Sequence, residues 1–103
     1  MVKWTPKSEE DLEEILEHIS KNFSIDLAIT TVNEIIDFVE STLSRNSLAG
    51  AIVESNPLFF KLNFEGNTIY YCENPKDRIL YIVYVQPRHS NFKFNRINSN
   101  EVA

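Results

Sequence analysis

The sequence predicts an α+β domain in which an N-terminal strand and a helical hairpin pack on a mainly antiparallel sheet of four or five strands. Three observations carry that expectation. Apolar residues recur at helical spacing from Leu12 to Leu43. From Gly50 onward the apolar period shortens to about two, the repeat of a pleated strand. The chain is 103 residues long with 43% hydrophobic content, a common size for one domain, so nearly every apolar stripe is needed for a single core.

Taken in order, Val2-Lys3-Trp4-Thr5 alternates and forms an initial strand, ended by Pro6, which cannot donate to a ladder. Ser8-Glu9-Glu10-Asp11 has the form of a capping box, with Ser8 as N-cap and acids in the first turn, where the helix dipole favours them. Leu12, Ile15, Leu16, Ile19 and Phe23 give a helix from about Glu9 to Asn22 with one buried stripe. After the Asn22-Phe23-Ser24 break, Ala28, Ile29, Val32, Ile35, Ile36, Val39 and Leu43 form one face of a second helix, antiparallel to the first. Ala51-Ile52-Val53 is a short strand, and Leu58, Phe60, Leu62 and Phe64 form one face of the next. Glu65-Gly66-Asn67 turns into the strand Thr68–Cys72, and Asn74–Asp77 turns into Ile79–Val85, apolar on both faces and therefore central. The domain is expected to span residues 1–95, held at its end by Phe92 and Phe94, with a frayed tail over 96–103.

Charge and cysteine content narrow the function classes. A lone cysteine, Cys72, excludes an internal disulfide, and two scattered histidines form no metal-ligand cluster, so no metal or other cofactor is expected. The opening lacks an apolar signal core and no apolar run approaches a membrane span, which places the expected location in the cytoplasm, with no membrane partner. Eleven acids against four bases precede residue 57, whereas six bases against four acids follow, and the net charge is −5. Any nucleic-acid surface is therefore local and C-terminal. No Gly-rich phosphate loop, nucleophile motif or carboxylate pair marks an unrelated α+β enzyme.

The order of elements resembles the RelE/ParE family of toxins from type II toxin–antitoxin systems. The likeness rests on Val2-Lys3-Trp4-Thr5, on Asp11-Leu12-Glu13-Glu14-Ile15 with Ile19, on Ala28 early in the second helix, on Gly50 after it, and on Pro87-Arg88-His89 after the last strand. It covers roughly residues 2 to 92. The resemblance implies a plasmid-stabilisation type of toxin held inactive by a cognate antitoxin protein. It would inhibit growth by acting on DNA gyrase, in the ParE manner, or by ribosome-associated mRNA cleavage, in the RelE manner. Two departures count against cleavage. The strand Thr68-Ile69-Tyr70-Tyr71-Cys72 lacks the Arg that many family ribonucleases carry there, and the chain is acidic where a protein approaching a polyphosphate is generally basic. A non-toxic binding module derived from the same fold stays open as the alternative.

RNA cleavage needs a base for the 2′-hydroxyl, a cation for the charge on phosphorus and an acid for the leaving oxygen. Lys61, Arg88 and His89 are the catalytic candidates: His89 as acid or base, Lys61 and Arg88 as phosphate holders, converging on one sheet face. The bland reading makes all three solvated sheet and loop residues. Tyr71 and Tyr84 either stack on bases or cover the seam between helices and sheet. Arg78, Lys93 and Arg96 are further candidates for contact with nucleic acid or another target. Trp4, Tyr70 and Tyr81 are expected in the core, Cys72 as a buried structural thiol, and His18 on the polar side of the first helix.

Overall fold

A computed structural model describes residues 2–88, so the expectations for His89, Phe92, Lys93, Phe94, Arg96 and the 96–103 tail lie outside the described residues. Strand β1 (Val2–Trp4) leads into helices α1 (Pro6–Asn22) and α2 (Ile25–Arg45), followed by β2 (Ala51–Ile52), β3 (Phe60–Phe64), β4 (Asn67–Glu73) and β5 (Leu80–Gln86). The five strands form one sheet in the order β1-β5-β4-β3-β2. The pairs β2/β3, β3/β4 and β4/β5 are antiparallel, and β1 lies parallel to β5. This is the α+β arrangement expected, with the last described strand in the interior and the first at the edge.

The first helix begins at Pro6, not at Glu9. Thr5 is its N-cap, extended at φ −74° and ψ 159°, and its hydroxyl accepts from the Ser8 amide at 3.2 Å. Pro6 is well suited to the first helical position, where its missing N–H has no partner to lose. Ser8, expected as the cap, is instead fully buried in the first turn and donates its hydroxyl to the Thr5 carbonyl at 2.8 Å. Ser24 caps α2, accepting from the Leu27 amide at 3.1 Å. Its buried face is Ala28, Ile35, Val39 and Leu43, with the helix continuing past Leu43 to Arg45.

The main core lies between the helices and one sheet face: Leu12 and Ile15 from α1, Ile35, Val39 and Leu43 from α2, and Leu62, Ile69, Tyr71, Leu80, Ile82 and Val85 from the sheet. Phe38 stacks on Phe64 and Phe60 on Tyr71, at centroid separations of 4.5 and 5.4 Å. A second buried cluster, Val53, Phe59, Tyr70, Cys72, Val83 and Tyr84, lies on the opposite face and contains no helical residue. Its form follows from a slip in register: Tyr70 pairs with Tyr84 but Tyr71 pairs with Ile82, which leaves Val83 as an extra residue. Val83 and Tyr84 therefore share the outer face while Ile82 and Val85 share the inner one.

Several apolar positions depart from the sequence reading. Phe23 is 72% exposed, because α1 stops at Asn22 and the backbone of Phe23 swings to φ −134°, ψ −88°. Ile29 is also exposed, on the outer side of α2. Strand β3 starts at Phe60, with Leu58 in solvent and Phe59 buried on the outer face. The cause is a tight loop in which the Val53 amide bonds the Phe59 carbonyl and the Phe59 amide bonds the Asn56 carbonyl, each at 3.0 Å. Trp4 is only half-buried: it packs against the core while its indole donates to Glu40 Oε2 at 2.9 Å. Tyr81 also stays half-buried, its hydroxyl donating to Asp77 Oδ2 at 2.8 Å.

Candidate functional site

Two surfaces can meet another molecule, and they lie on opposite sides of the sheet. The first is a groove of about 400 Å³ where the ends of α1 and α2 meet the β3–β4 turn. Ile15, Ile19, Phe23, Leu27 and Thr31 line it from the helices, with His18, and Glu65, Asn67 and Arg88 from the sheet. The turn is built by Glu65 at φ 50° and Gly66 at φ 85°, two successive left-handed residues, which suit the twist of a two-residue hairpin. Arg88 is fixed against this turn. Its amide donates to Asn67 Oδ1 at 3.2 Å, and a Cβ on Gly66 would lie 3.0 Å from Arg88 Cβ. In the groove, Phe23 and Leu27 leave 72 and 47% of their surface exposed, and Ile25 and Ile29, two residues to either side of Leu27 on α2, are exposed on another side of that helix. Clustered exposure of large apolar side chains of this kind marks surfaces that meet partners.

The second surface is the outer sheet face. Register places Lys61 opposite Tyr70 and Tyr70 opposite Tyr84, a row that runs across three strands. Lys7 extends the row from α1, its Nζ 5.5 Å from the centre of the Tyr84 ring. The Tyr70 hydroxyl donates to Gln86 Oε1 at 3.2 Å. A shallow depression of about 730 Å³ next to β2 is lined by residues Ala51 to Ser55 together with Lys61 and Tyr70.

Lys61 and Arg88 are therefore not brought together: Lys61 lines the depression on the outer face, and Arg88 lines the groove on the helical side. Arg78 sits in the β4–β5 turn at φ 62°, largely exposed, with Nε 3.6 Å from Glu73. It is at the far end of β4 from Arg88, roughly 20 Å away along the strand at ~3.4 Å per residue. Tyr71 is fully buried under the helices; its hydroxyl donates to the Ser47 carbonyl at 3.0 Å and accepts from the Gly50 amide at 2.9 Å. That is the seam-covering role, and it withholds the ring from stacking on a base. Tyr84 is 7% exposed on the outer face. Cys72 is buried there too, and burial pushes its thiol up to about 11, which keeps it protonated at neutral pH and chemically quiet.

The sequence reading missed the contact that joins α1 to β5. Strand β1 ends at Trp4, opposite Ile82, so among the described residues the edge of β5 beyond that point has no strand partner. Thr5 donates its hydroxyl to the Val83 carbonyl at 3.2 Å, and Asp11 Oδ2 accepts from the Val85 amide at 3.0 Å. Side chains thus continue the ladder where the strand stops. Asp11 Oδ1 pairs with Lys7 Nζ at 2.7 Å. Desolvation raises the Asp11 pKa, with Lys7 and the Val85 amide pulling the other way, while Asp11 holds the Lys7 ammonium above its usual range against its own desolvation. The only sequence signal was the four-residue spacing of Lys7 and Asp11, which is common on solvated helices.

Among the described residues there is no group of three metal-binding side chains, and no helix long and apolar enough to cross a membrane. The helical hairpin laid across a five-stranded mixed sheet agrees with the α+β fold that the sequence resemblance implied. The solved structures bear this out. A chain of the chromosomal ParDE TA system from P. aeruginosa superposes with a TM-score of 0.74 at 23% identity, covering 84% of this chain and 92% of that one. A chain of the toxin–antitoxin complex RelBE2 from Mycobacterium tuberculosis superposes with a TM-score of 0.64 at 18% identity, covering 85% and 96%. No family model and no curated protein sequence matches the chain.

Proposed function

We propose that this protein is the toxin component of a type II toxin–antitoxin pair, of the plasmid-stabilisation kind, that inhibits growth in the cytoplasm and is neutralised by a cognate antitoxin protein. The observation that carries the reading is the extent of the structural likeness, which takes in 92% of the ParDE chain and 96% of the RelBE2 chain. The exposed Phe23 and Leu27 of the helical groove supply the apolar contact that a bound peptide needs.

For the target, the ParE-like mode is favoured. Strand β4 carries no Arg, and Lys61 and Arg88 line different depressions, so these two candidates do not form one cation pair for phosphate. In this reading Arg78, Lys93 and Arg96 serve contact with DNA gyrase rather than chemistry. The RelE-like alternative assigns acid–base work to His89 and phosphate contacts to Lys61 or Arg88. The acidic net charge favours a third reading, a binding module of the same fold that has lost toxicity.

Induced expression tests these readings together. Growth arrest relieved by the product of an adjoining small reading frame is the expected result, and unimpeded growth without that product overturns the toxin reading in favour of the binding module. Accumulation of gyrase–DNA cleavage complexes supports the ParE-like mode. Ribosome-dependent cleavage of messenger that is lost on His89→Ala supports the RelE-like mode instead.

A further inference from the structure

Beyond the groove, helix α2 carries an apolar stripe that the fold covers along only part of its length. Ile25, Ile29, Val32, Ile36, Val39 and Leu43 follow one another at alternating steps of four and three residues. That alternation keeps side chains on one line along a helix and is the seam spacing by which two helices pack side by side. Coverage falls off along the line. Val39 and Leu43 are buried in the core, Val32 and Ile36 are half-buried against it, and Ile29 and Ile25 are 47 and 64% exposed. From Ile25 to Ile36 the open stretch measures about 16 Å, roughly three helical turns. This surface is separate from the groove, which α2 lines with Leu27 and Thr31, so its occupant is independent of the toxin reading.

We propose that the open end of this seam receives an amphipathic helix of a protein partner, one whose apolar row is flanked by Lys or Arg. The seam spacing specifies a helix, and charge specifies its flanks. On the buried side the stripe is bordered by Ala28 and Ile35, and on the other by Asp26, Asn33 and Glu40, the row that sets partner choice when helices pair. Asp37 stands just beyond that row. Glu40 is already held in place, since its Oε2 accepts from the Trp4 indole at 2.9 Å. Residues 6 to 45 carry ten acids and three bases, a net charge of −7. Among the described residues only Asp11 and Glu17 of those ten acids form an ion pair. A second copy of the chain would bring one acidic helical layer against another, a like-charge contact that disfavours it as the occupant.

The probe is a synthetic amphipathic helix with leucines at the seam spacing and lysines on either side, titrated into the unaltered chain and followed by amide NMR shifts. Shift changes gathered between Ile25 and Glu40, with affinity falling as salt rises, are the expected result. A glutamate-flanked version of the peptide should bind at least roughly tenfold more weakly. Ile25→Ser with Ile29→Ser should weaken the lysine peptide by a similar factor while far-UV circular dichroism stays native. Asp26→Lys with Asp37→Lys should reverse the preference between the two peptides. Equal binding of a lysine peptide whose leucines are scrambled off the seam overturns the proposal, because charge alone then suffices. Shift changes centred on Glu9 to Glu17, or on Phe23 and Leu27, also overturn it, and so does an absence of binding. A dimer of the unaltered chain that Ile25→Ser with Ile29→Ser dissolves overturns it in favour of a second copy.

Discussion

Asp11 concentrates the energetic tension of this fold in one carboxylate. It is 5% exposed, yet it holds an amide of β5 on one oxygen and an ammonium on the other. Because burial outweighs those partners, its folded-state pKa stands above the ordinary 3.8. The folded chain therefore binds this proton more tightly than the unfolded chain. Between the two pKa values stability falls as pH rises, and at neutral pH the cost of the buried charge is fully present. Thermal unfolding of the wild-type and Asp11→Asn chains, compared across pH from 3.8 upward, should show this component of the slope in the first and not in the second. Asn keeps an acceptor for the Val85 amide, so its loss at pH 7 is small, whereas Asp11→Ala orphans that amide and costs about 1–3 kcal/mol. An Asp11→Ala chain as stable as wild type would show that the contact contributes nothing.

At the scale of elements, the change of apolar rhythm at Gly50 made the helical hairpin and the sheet legible in the sequence, because 3.6- and 2-residue periods report directly which face is buried. The cap of α1 was less legible. Ser8-Glu9-Glu10-Asp11 read as the helix start, whereas Thr5 takes the cap, its hydroxyl also held by a tertiary contact with the Val83 carbonyl. Leu58 was misread for a similar reason: the Asn56 loop comes just before β3, so the exposure of Leu58 depends on the loop and not on the strand period. The β3–β4 turn was read correctly as a hairpin, with Asn67 already in the ladder opposite Phe64. Gly66 there faces two demands, a φ of 85° and Arg88 Cβ 3.0 Å from where a Cβ would stand. Gly66→Ala should lower stability by about 1–2 kcal/mol, the cost of a side chain in the left-handed region. A drop in the urea midpoint at constant m-value is the measurement that checks it.

At the scale of the whole molecule, the candidate site was legible only in part. Sequence placed Lys61 and Arg88 in neighbouring strands and loops, but which side of the sheet each one serves depends on how the chain leaves β5, and period alone does not encode that. The exposed corner at Phe23 and Leu27 was hidden because Phe23 continues the apolar stripe of α1 and so looks like core in a helical reading. Phe23→Ser with Leu27→Ser should leave unfolding within about 0.5 kcal/mol of wild type, as surface changes usually do. The same variant should bind the product of the adjoining reading frame at least roughly tenfold more weakly by calorimetry, if that corner is the docking surface. Equal binding would move the docking surface elsewhere.

The position of β5 also governs when the molecule comes into being. It is the last described strand and sits between β1 and β4, so the sheet cannot close until it has been made. At about 5–20 residues per second, translation from β1 through β5 lasts roughly 4–17 s. For that interval the nascent helices carry their apolar stripes with no finished sheet beneath them. A truncated translation product lacking β5 has no assembled fold, and a cell that synthesises this protein meets its folded surfaces only after β5 has been translated.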